Sequence, residues 1–356
     1  IGMQKSSSFV LILLSFMINS CSVKGQPELC DFSFEGENRE YYLYVPDSLE
    51  IGAPLLFVFH GYSSSANSIM EYSGLNEIAN ENGFVVCYPQ GLSDSNGNRF
   101  WNVGYEFHNN ETHDDVAFAK ELAQYLQNEF LLSNYNTFST GMSNGGDISY
   151  LLACQEPETF RAIAPVSGCM MTWIYESCDP IQPIPVFEIH GTDDNVTWWD
   201  GADDNNNDGW GPWESVDTTF NYFTELNECT IFLVDTLPNT NTSDGSYIIS
   251  HKNINVVNNN QVWLYEIING AHDWPGAWGN MDINSSEEIW NFFDQFMVEA
   301  QVGDMNFDQT INIFDLLLIS ESVINSDPYI FLADYDHNGS INSNDINLVL
   351  VYILGL

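Results

Sequence analysis

Basic residues are scarce in this sequence. It contains 7 Lys+Arg against 50 Asp+Glu, which gives a formal net charge of −43 over 356 residues. Nucleic acids and anionic membranes bind proteins through clustered Lys and Arg, and this composition cannot supply such clusters. We therefore expect neither as a partner. The acidic excess suits a salty medium, where charge repulsion is screened, and a minority of the carboxylates can serve as calcium ligands.

Long hydrophobic runs are missing as well. The apolar stretch at residues 9–18 follows Lys5 and is too short to span a bilayer comfortably. A short basic region followed by such a core is typical of a secretory signal, so we predict a signal peptide at residues 1–25 and an extracellular protein. Residues 18–21 resemble a bacterial lipobox ending in Cys21, whose lipidation would anchor the protein to a membrane. Cleavage near Gly25 would release it instead.

Cysteines are few, and none has the spacing of metal ligands. The chain has seven, and the six that follow Cys21 are an even number, as expected of disulfides in an oxidising compartment. Six cysteines allow 15 pairings, and sequence favours only one pair, Cys169 with Cys178, which would close a short loop.

Apolar runs of strand length alternate with amphipathic helical patterns along most of the chain. Continuous apolar runs are typical of strands that are buried on both faces. Their alternation with helices predicts a mostly parallel sheet covered on both sides, with functional groups at the carboxyl ends of its strands. The strand-like runs lie at residues 54–61, 84–89, 161–168, 185–191 and 261–267, and the helical patterns at 69–82, 116–130, 215–226 and 286–300.

A serine lies in a glycine-rich turn between a strand-like and a helix-like segment. Residues 141–145 have the pattern Gly-x-Ser-x-Gly around Ser143, which is typical of a nucleophile elbow. Small residues flank such a serine because the tight turn leaves no room for side chains. The pattern alone occurs by chance in roughly one chain in ten of this size, so it requires a base and an acid elsewhere.

The order of the chain restricts the base. In this type of sheet the catalytic residues follow the order Ser, then Asp or Glu, then His. Three of the seven histidines precede Ser143, His190 precedes any candidate acid, and His337 lies in an acidic loop described below. His251 lies in a polar stretch away from any apolar strand, which favours a solvent-facing hairpin. His272 follows the last long strand in a loop with glycine and proline, so we predict it as the base.

The acid and the oxyanion hole follow from the same geometry. Asp193 and Asp194 both come directly after the strand at residues 185–191, and spacing does not separate them. One oxyanion donor is predicted to be the backbone N–H of Asn144, and the other the N–H of Tyr62 in the loop after the first buried strand. This chemistry needs no cofactor.

Six short motifs occur in a fixed order: His60-Gly61-Tyr62, Trp101-Asn102, Asp114-Asp115-Val116, residues 141–146, His190-Gly191-Thr192-x-Asp194 and His272-x-Trp274-Pro275-Gly276. Together they resemble the secreted polyhydroxybutyrate-depolymerase-like esterases, which include feruloyl and acetylxylan esterases of carbohydrate esterase family 1. The resemblance covers about residues 30–297. It implies an α/β-hydrolase fold for an esterase domain at residues 27–300, with Ser143 as nucleophile and His272 as base. It also favours Asp194, because the family has its aspartate four residues after the histidine of His-Gly-Thr. Residues 195–199 depart from the family's usual Val-Pro-Tyr, so substrate contacts there are expected to differ.

An acidic segment occurs twice near the end of the chain, at residues 303–315 and 333–345. Oxygen-bearing side chains recur at loop positions 1, 3, 5, 7, 9 and 12, which is the spacing of an EF-hand calcium loop. Each loop leads into an apolar helix. We therefore predict two structural Ca²⁺ sites. Their ligands would be Asp304, Asn306, Asp308, Thr310, Asn312 and Asp315 in the first loop, and Asp334, Asp336, Asn338, Ser340, Asn342 and Asp345 in the second.

The repeated unit differs from an EF-hand, because no helix precedes either loop and position 12 is Asp instead of Glu. It resembles a dockerin, the module that attaches enzymes to cohesin-bearing scaffolds. The resemblance implies a small all-α calcium-binding domain at residues 303–356 and a cohesin-bearing partner. Gln309 replaces the usual glycine, and the two helices begin with different residue pairs, so the halves are not equivalent. A surface scaffold and a purely structural calcium tail are alternatives.

The sequence as a whole predicts an exported serine esterase. The dockerin-like tail favours feruloyl or acetyl esters of xylan as substrates. The family resemblance equally allows an extracellular depolymerase of poly(3-hydroxybutyrate) or another polyester. A catalytically degenerate, calcium-dependent binding or scaffold component is a further alternative, and the presence of all three triad residues argues against it.

Overall fold

The computed structural model describes residues 24–203, 209–299, 301–305, 310–325 and 331–356. The predicted signal core and Cys21 lie outside these residues. The strands are β1 Glu28–Phe34, β2 Glu37–Tyr44, β3 Leu55–Phe59, β4 Val85–Pro89, β5 Leu92–Ser93, β6 Arg99–Phe100, β7 Thr137–Met142, β8 Ala162–Val166, β9 Val186–Gly191, β10 Ile231–Thr236, β11 Tyr247–Ile254 and β12 Gln261–Ile268. The α-helices are α1 Ala66–Ser73, α2 Leu75–Asn82, α3 Asp115–Phe130, α4 Asn144–Gln155, α5 Thr172–Ser177, α6 Val216–Leu226, α7 Ser285–Asp294, α8 Ile313–Asn325 and α9 Ser343–Leu354.

Within the described residues, ten strands form one sheet in the order β1-β2-β4-β3-β7-β8-β9-β12-β11-β10. The six central strands, from β4 to β12, pair in parallel. Antiparallel pairing occurs only toward the two edges of this sheet, at β1-β2-β4 and β12-β11-β10. The predicted mostly parallel sheet is confirmed, and the carboxyl ends of the central strands meet at one edge.

Helices cover both faces of the sheet. Leu55, Phe57 and Phe59 of β3 pack into a core shared with α3 and α4. The alternate residues Leu56 and Val58 pack into a second core, shared with α1, α2 and α7. Successive strand side chains point to opposite faces, so an apolar run of this kind is stable only when both faces are covered. Each fully buried side chain of this size contributes about 1.5–3 kcal/mol.

Two predicted elements differ in the structure. The helical pattern at residues 69–82 belongs to two helices, because Gly74 adopts a left-handed conformation with φ 64° between α1 and α2. The helix predicted to reach residue 300 ends at Asp294. His251 lies within β11, between Val234 of β10 and Leu264 of β12, so it occupies an antiparallel hairpin with its side chain partly exposed, as the sequence favoured.

The predicted pair Cys169–Cys178 is wrong. Cys178 instead forms a disulfide with Cys154 of α4, with Cα atoms 5.0 Å apart. Helix α5 turns the chain back so that Cys178, just after its last residue, comes beside α4. Cys169 is a free, buried thiol, and its backbone N–H donates to Asp147 Oδ1 at 2.7 Å.

The last two helices, α8 and α9, pack on each other around a small apolar cluster that includes Leu316, Ile319 and Val349. Each helix begins at an asparagine cap: the side chain of Asn312 accepts the N–H of Phe314, and that of Asn342 accepts the N–H of Asn344. Of the helices in the described ranges, none is both long enough and apolar enough to cross a membrane.

Candidate active site

Ser143 lies at the turn between β7 and α4 in a strained conformation, with φ 56° and ψ −124°. The flanking glycines are required by close backbone contacts. A β-carbon on Gly145 would lie 2.1 Å from the carbonyl oxygen of Phe59, and one on Gly141 would lie 2.5 Å from the carbonyl oxygen of Gly145. The turn therefore forms only with glycine at both positions, and it raises the serine hydroxyl above the carboxyl end of β7.

Asp194 and His272 lie together because β9 and β12 are parallel neighbours whose carboxyl ends meet. The His272 Nδ1–H donates to Asp194 Oδ2 at 2.7 Å. Asp193 is exposed, and its backbone N–H donates to the carbonyl of Gly270. The geometry thus separates the two aspartates that spacing left equivalent, and it leaves His272 Nε2 as the unprotonated nitrogen of the neutral ring.

The Asp194 carboxylate is held by a dense set of donors. Its Oδ1 accepts the backbone N–H groups of Val196 and Thr197 at 2.8 and 2.9 Å, and Thr197 Oγ1 lies 3.0 Å from Oδ2. Burial raises the pKa of Asp194, but the hydrogen bond and charge of His272, the charge of His190 and the N–H of Val196 together lower it by more, so the pKa lies below its usual value. Thr197 also lies 3.3 Å from His272 Nδ1. Sequence reasoning missed this residue, although it lies in the segment that departs from the family pattern.

His190 is buried beside this pair, and both of its ring nitrogens are engaged in hydrogen bonds. Its Nδ1 lies 2.8 Å from Glu188 Oε1, and its Nε2 donates to the carbonyl of Thr197 at 2.8 Å. Burial lowers the pKa of His190, but the Glu188 and Asp194 carboxylates and the Thr197 carbonyl together raise it by more, and the net shift is upward. With both ring nitrogens engaged, His190 supports the loop that carries Asp194 and cannot act as a base.

Ser143 and His272 line the same cavity, whose volume is about 620 Å³. Gly61 forms part of its wall next to the serine, since a β-carbon there would lie 3.4 Å from Ser143 Cβ and 3.9 Å from its Oγ. Such a volume is typical of a site for a small organic ligand. The other lining residues are Tyr62, Ser64, Ser68, Ile69, Glu71, Tyr72 and Met142.

The backbone N–H groups of Tyr62 and Asn144 adjoin the serine, and neither donates a hydrogen bond within the described residues. His60 orients the first of them. Gly91 N–H donates to His60 Nε2 at 3.0 Å, so the ring proton is on Nδ1, which donates to the carbonyl of Gly61 at 2.8 Å. The C=O and N–H of a planar trans peptide point in opposite directions. Because His60 fixes the Gly61 carbonyl, it also fixes the direction of the Tyr62 N–H. Burial lowers the pKa of His60 to about 4, which keeps this neutral form at neutral pH.

The Asn144 side chain clamps the backbone of Trp101, with its Oδ1 accepting the Trp101 N–H at 2.7 Å and its Nδ2 donating to the Trp101 carbonyl at 3.1 Å. The indole of Trp101 in turn donates to the carbonyl of His60 at 2.8 Å. Asp115, at the start of α3, holds the next residue of this loop and pairs with the buried Arg39 at 2.8 Å. These contacts explain the Trp101 and Asp115 motifs as supports of the two loops beside Ser143.

Asp147 lies beneath the elbow in the first turn of α4 and is fully buried. It accepts the hydroxyl of Tyr105 at 2.5 Å and the backbone N–H of Cys169 at 2.7 Å. Burial raises its pKa to about 7. A carboxyl group with a raised pKa stabilises the fold while it is protonated and loses that contribution as pH rises through the folded-state value.

We expect Asp147→Asn to change the pH dependence of stability. The stability contribution of Asp147 is complete below about pH 4 and falls as pH rises to about 7. Asn has no such titration and retains an oxygen for the Cys169 N–H. The free energy of unfolding of the variant relative to the wild type should therefore increase between pH 4 and 8, as measured by urea denaturation. A difference that is constant over this range would contradict the assignment.

The second acidic loop brings three carboxylates together. Ligand oxygens of Asp334, Asp336 and Asp345 all lie within 4.8 Å of one another. Asp334 also accepts the N–H groups of Asn338 and Gly339 at 3.0 and 2.6 Å, which curls the loop around it. The predicted ligand Ser340 is exposed, and the side chain of Asn342 caps α9.

The first acidic loop is described only in part, because Asn306 and Asp308 lie outside the described residues. Asp304 and Asp315 are buried, and Asp315 accepts the backbone N–H groups of Met305 and Asn312 at 2.8 Å each. In the second loop, the Asp345 carboxylate accepts the backbone N–H groups of Asp336 and Asn342. Thr310 is exposed, and Asn312 caps α8.

The family model described as "Putative esterase" matches residues 34–281, which is well over half of the chain. This chain belongs to that esterase family. A model described as "Dockerin type I domain" matches residues 302–354. The mostly parallel sheet with helices on both faces is the α/β-hydrolase fold, and the predicted combination of esterase and dockerin is confirmed at the level of family.

Several curated proteins are similar to part of the esterase family region. Feruloyl esterase C of Emericella nidulans is 31% identical over 193 residues, which are 52% of this chain and 65% of that protein. The bifunctional acetylxylan esterase/xylanase XynS20E of Neocallimastix patriciarum is 26% identical over 46% of this chain and 22% of its own length. Poly(3-hydroxyalkanoate) depolymerase C of Paucimonas lemoignei is 24% identical over 42% of this chain and 36% of its own length. The chain thus spans less than two thirds of the length of these relatives.

Among solved structures, the acetyl xylan esterase from Aspergillus awamori has the same fold. The TM-score is 0.52 at 15% sequence identity, and the match covers 75% of this chain and 99% of that one. At this identity the similarity establishes the fold alone.

The dockerin loops suit a hard divalent cation. Four of their aspartates, Asp304, Asp315, Asp334 and Asp345, are buried, and residues 301–356 contain no Lys or Arg. Buried carboxylates require a countercharge, and oxygen donors at this spacing are the ligands that Ca²⁺ prefers. These aspartates together with Asp336 would hold the ions.

Calcium removal should therefore destabilise the dockerin and leave the esterase domain unchanged. All ten tryptophans lie between residues 101 and 290, so tryptophan fluorescence monitors the esterase domain alone. We expect EDTA to shift a calorimetric transition of the full chain to lower temperature, while the tryptophan-detected midpoint and the esterase rate stay constant. Added Ca²⁺ should reverse the shift. A thermogram that is identical with and without EDTA would reject the two sites.

Proposed function

We propose that this chain is a serine carboxylic-ester hydrolase that removes ester-linked substituents, feruloyl or acetyl groups, from plant polysaccharide. One observation supports the proposal most strongly. His272, hydrogen-bonded to Asp194 at 2.7 Å, lines the same cavity as Ser143, whose backbone is strained. A nucleophile, a base and an acid in this arrangement are the parts that acyl transfer requires.

The reaction proceeds in two acyl transfers. His272 Nε2 takes the proton of Ser143 as Oγ attacks the ester carbonyl, and it then gives that proton to the leaving sugar hydroxyl. In the second half, water attacks the acyl-serine as the same nitrogen takes its proton, and His272 then returns that proton to Ser143 Oγ as the carboxylic acid leaves. Asp194 fixes the Nδ1–H tautomer and stabilises the imidazolium formed in each half. The N–H groups of Tyr62 and Asn144 bind the oxyanion of both tetrahedral intermediates.

The cavity favours feruloyl over acetyl groups. Ile69, Tyr72 and Met142 provide apolar walls, and a volume of about 620 Å³ is far larger than an acetyl group requires. The formal net charge of −43 disfavours anionic substrates and leaves neutral esters unaffected. The feruloyl and acetylxylan esterases among the similar proteins support the same substrate class.

The dockerin supports attachment of the exported enzyme to a cohesin-bearing scaffold, with Ca²⁺ ordering both loops. Tethering raises the local concentration of an enzyme at an insoluble polymer. Neither process alters the chemistry at Ser143.

Rates on methyl ferulate, acetylated xylan and poly(3-hydroxybutyrate) test the substrate class. We expect hydrolysis of the first two, with the higher kcat/KM on methyl ferulate. Hydrolysis of the polyester alone would replace this substrate class with that of the depolymerases, and no hydrolysis of any ester would reject the enzyme activity.

His60 should act as a positioning residue for the oxyanion hole. His60→Leu keeps the site apolar and removes the bond that orients the Gly61–Tyr62 peptide, so we expect kcat to fall at least about tenfold with little change in KM, since one oxyanion donor is worth about 10²–10³ in kcat. His60→Asn, whose amide nitrogen can replace Nδ1 as donor, should recover part of the rate. Equal loss in both variants, or a loss confined to KM, would contradict this role.

A further inference from the structure

A second cleft lies beside the loop that carries Asp194. It has a volume of about 510 Å³ and shares no lining residue with the cavity of Ser143. Trp198 and Trp213 form its aromatic walls, with ring centroids 5.8 Å apart, and Asp200, Glu214 and Thr218 contribute polar groups. We name it the Trp198 cleft. Its size is typical of a ligand site.

Trp213 is a largely buried part of this wall. Its side chain is only 6% exposed, and its indole N–H finds no acceptor in the part of the chain that the structure describes. Backbone bonds to Ala202 in both directions, at 3.0 and 3.1 Å, fix the residue in place. The residue therefore serves as a fixed aromatic wall of the cleft.

The groups that line the cleft define the chemistry of a ligand that would fit it. Trp198 is 37% exposed, which leaves an aromatic surface for an apolar ring face. Glu214 accepts the hydroxyl of Thr172 at 2.8 Å with one carboxylate oxygen, and Asp200 is exposed. Among the described residues that line the cleft there is no Lys or Arg. The ligand should therefore bring hydroxyl donors, one flat apolar face and no negative charge, which is the chemistry of a neutral sugar.

We propose that the Trp198 cleft binds one uncharged sugar residue of the polysaccharide whose ester is cleaved at Ser143. This inference rests on the proposed function. Trp198 directly follows Thr197, whose hydroxyl lies 3.0 Å from Asp194 Oδ2 and 3.3 Å from His272 Nδ1. The sugar-binding wall and the catalytic pair thus share one loop. Acidic sugars are repelled by the carboxylates of the cleft.

Relative rates on two esters test the cleft within the reaction. The ratio of kcat/KM on a feruloylated arabinoxylo-oligosaccharide to kcat/KM on methyl ferulate should fall about fivefold in Trp198→Ala, the order of effect of one aromatic contact. Glu214→Gln should lower the same ratio. Trp278→Ala is the matched control, because Trp278 is 68% exposed and lines neither cavity. Its ratio should equal that of the wild type.

Direct binding separates this inference from the proposed function. In the full chain with Ser143→Ala, calorimetric titration with an unesterified neutral xylo-oligosaccharide should show binding that Trp198→Ala weakens about fivefold and Trp278→Ala does not. A glucuronate-bearing oligosaccharide should bind more weakly than the neutral one. If the wild type hydrolyses no ester, the proposed function fails while this titration still decides the cleft. Equal affinity of the Trp198→Ala and Trp278→Ala chains overturns the inference.

Discussion

Replacing Ser143 by alanine should lower kcat on p-nitrophenyl acetate by a factor of about 10⁵–10⁶. In the proposed mechanism this hydroxyl bonds to the acyl carbon, and Ser143 lines the same cavity as the proposed base His272. Residual catalysis would come from the oxyanion donors and binding alone. Alanine keeps the tight turn, because the close contacts that define it belong to Gly141 and Gly145.

The control for this variant is Ser48→Ala, which removes an exposed hydroxyl remote from the elbow in sequence. It should retain the wild-type rate, and both variants should show wild-type circular dichroism. Full activity of a correctly folded Ser143→Ala chain would exclude Ser143 as the nucleophile.

Asp194→Asn should lower kcat by about 10⁴ with the fold intact. The carboxylate accepts the Nδ1–H of His272 at 2.7 Å and so leaves Nε2 free to take a proton. An asparagine amide can donate to Nδ1 instead, which moves the ring proton to Nε2 and removes the base. The lowered pKa of Asp194 shows that its ionised form is the one that the site stabilises.

Asp193→Asn is an unusually close control, because it makes the same chemical change one residue away. Its side chain is exposed and makes no bond to His272. We expect a rate within about twofold of the wild type, as for surface substitutions outside a site. Equal losses in the two variants would show that loop charge, and not orientation of His272, determines the rate.

Much of this site could be predicted because it follows from chain order. The strand–turn–helix pattern predicted the elbow at Ser143. The Ser–acid–His order left His251 and His272 as candidate bases, and the glycine- and proline-containing loop after the last long strand favoured His272. Asp193 and Asp194 could not be distinguished by spacing, since both follow β9 directly. Only the family resemblance favoured Asp194, and the bond to His272 now gives the physical reason.

Other features depend on contacts between distant segments that no local pattern encodes. Cys178 pairs with Cys154 because α5 carries it to α4, whereas proximity in sequence suggested Cys169. The segment around His251 indicated a hairpin, but the bounds and register of β11 depend on its pairing with β10 and β12. The role of His60 depends on its bonds to Gly91 and Gly61, and only the folded structure reveals them.

The most direct test of the proposed Ser143–His272–Asp194 triad is covalent labelling of the full chain with diethyl p-nitrophenyl phosphate, followed by peptide mass mapping. The reagent phosphorylates an activated serine and releases p-nitrophenol. We predict one diethylphosphate group per chain, on Ser143, with loss of esterase activity in step with labelling and no labelling of His272→Ala at the same reagent concentration. An active enzyme that is inhibited through a different residue, or that stays unlabelled at Ser143 while it loses activity, would contradict the Ser143–His272–Asp194 assignment.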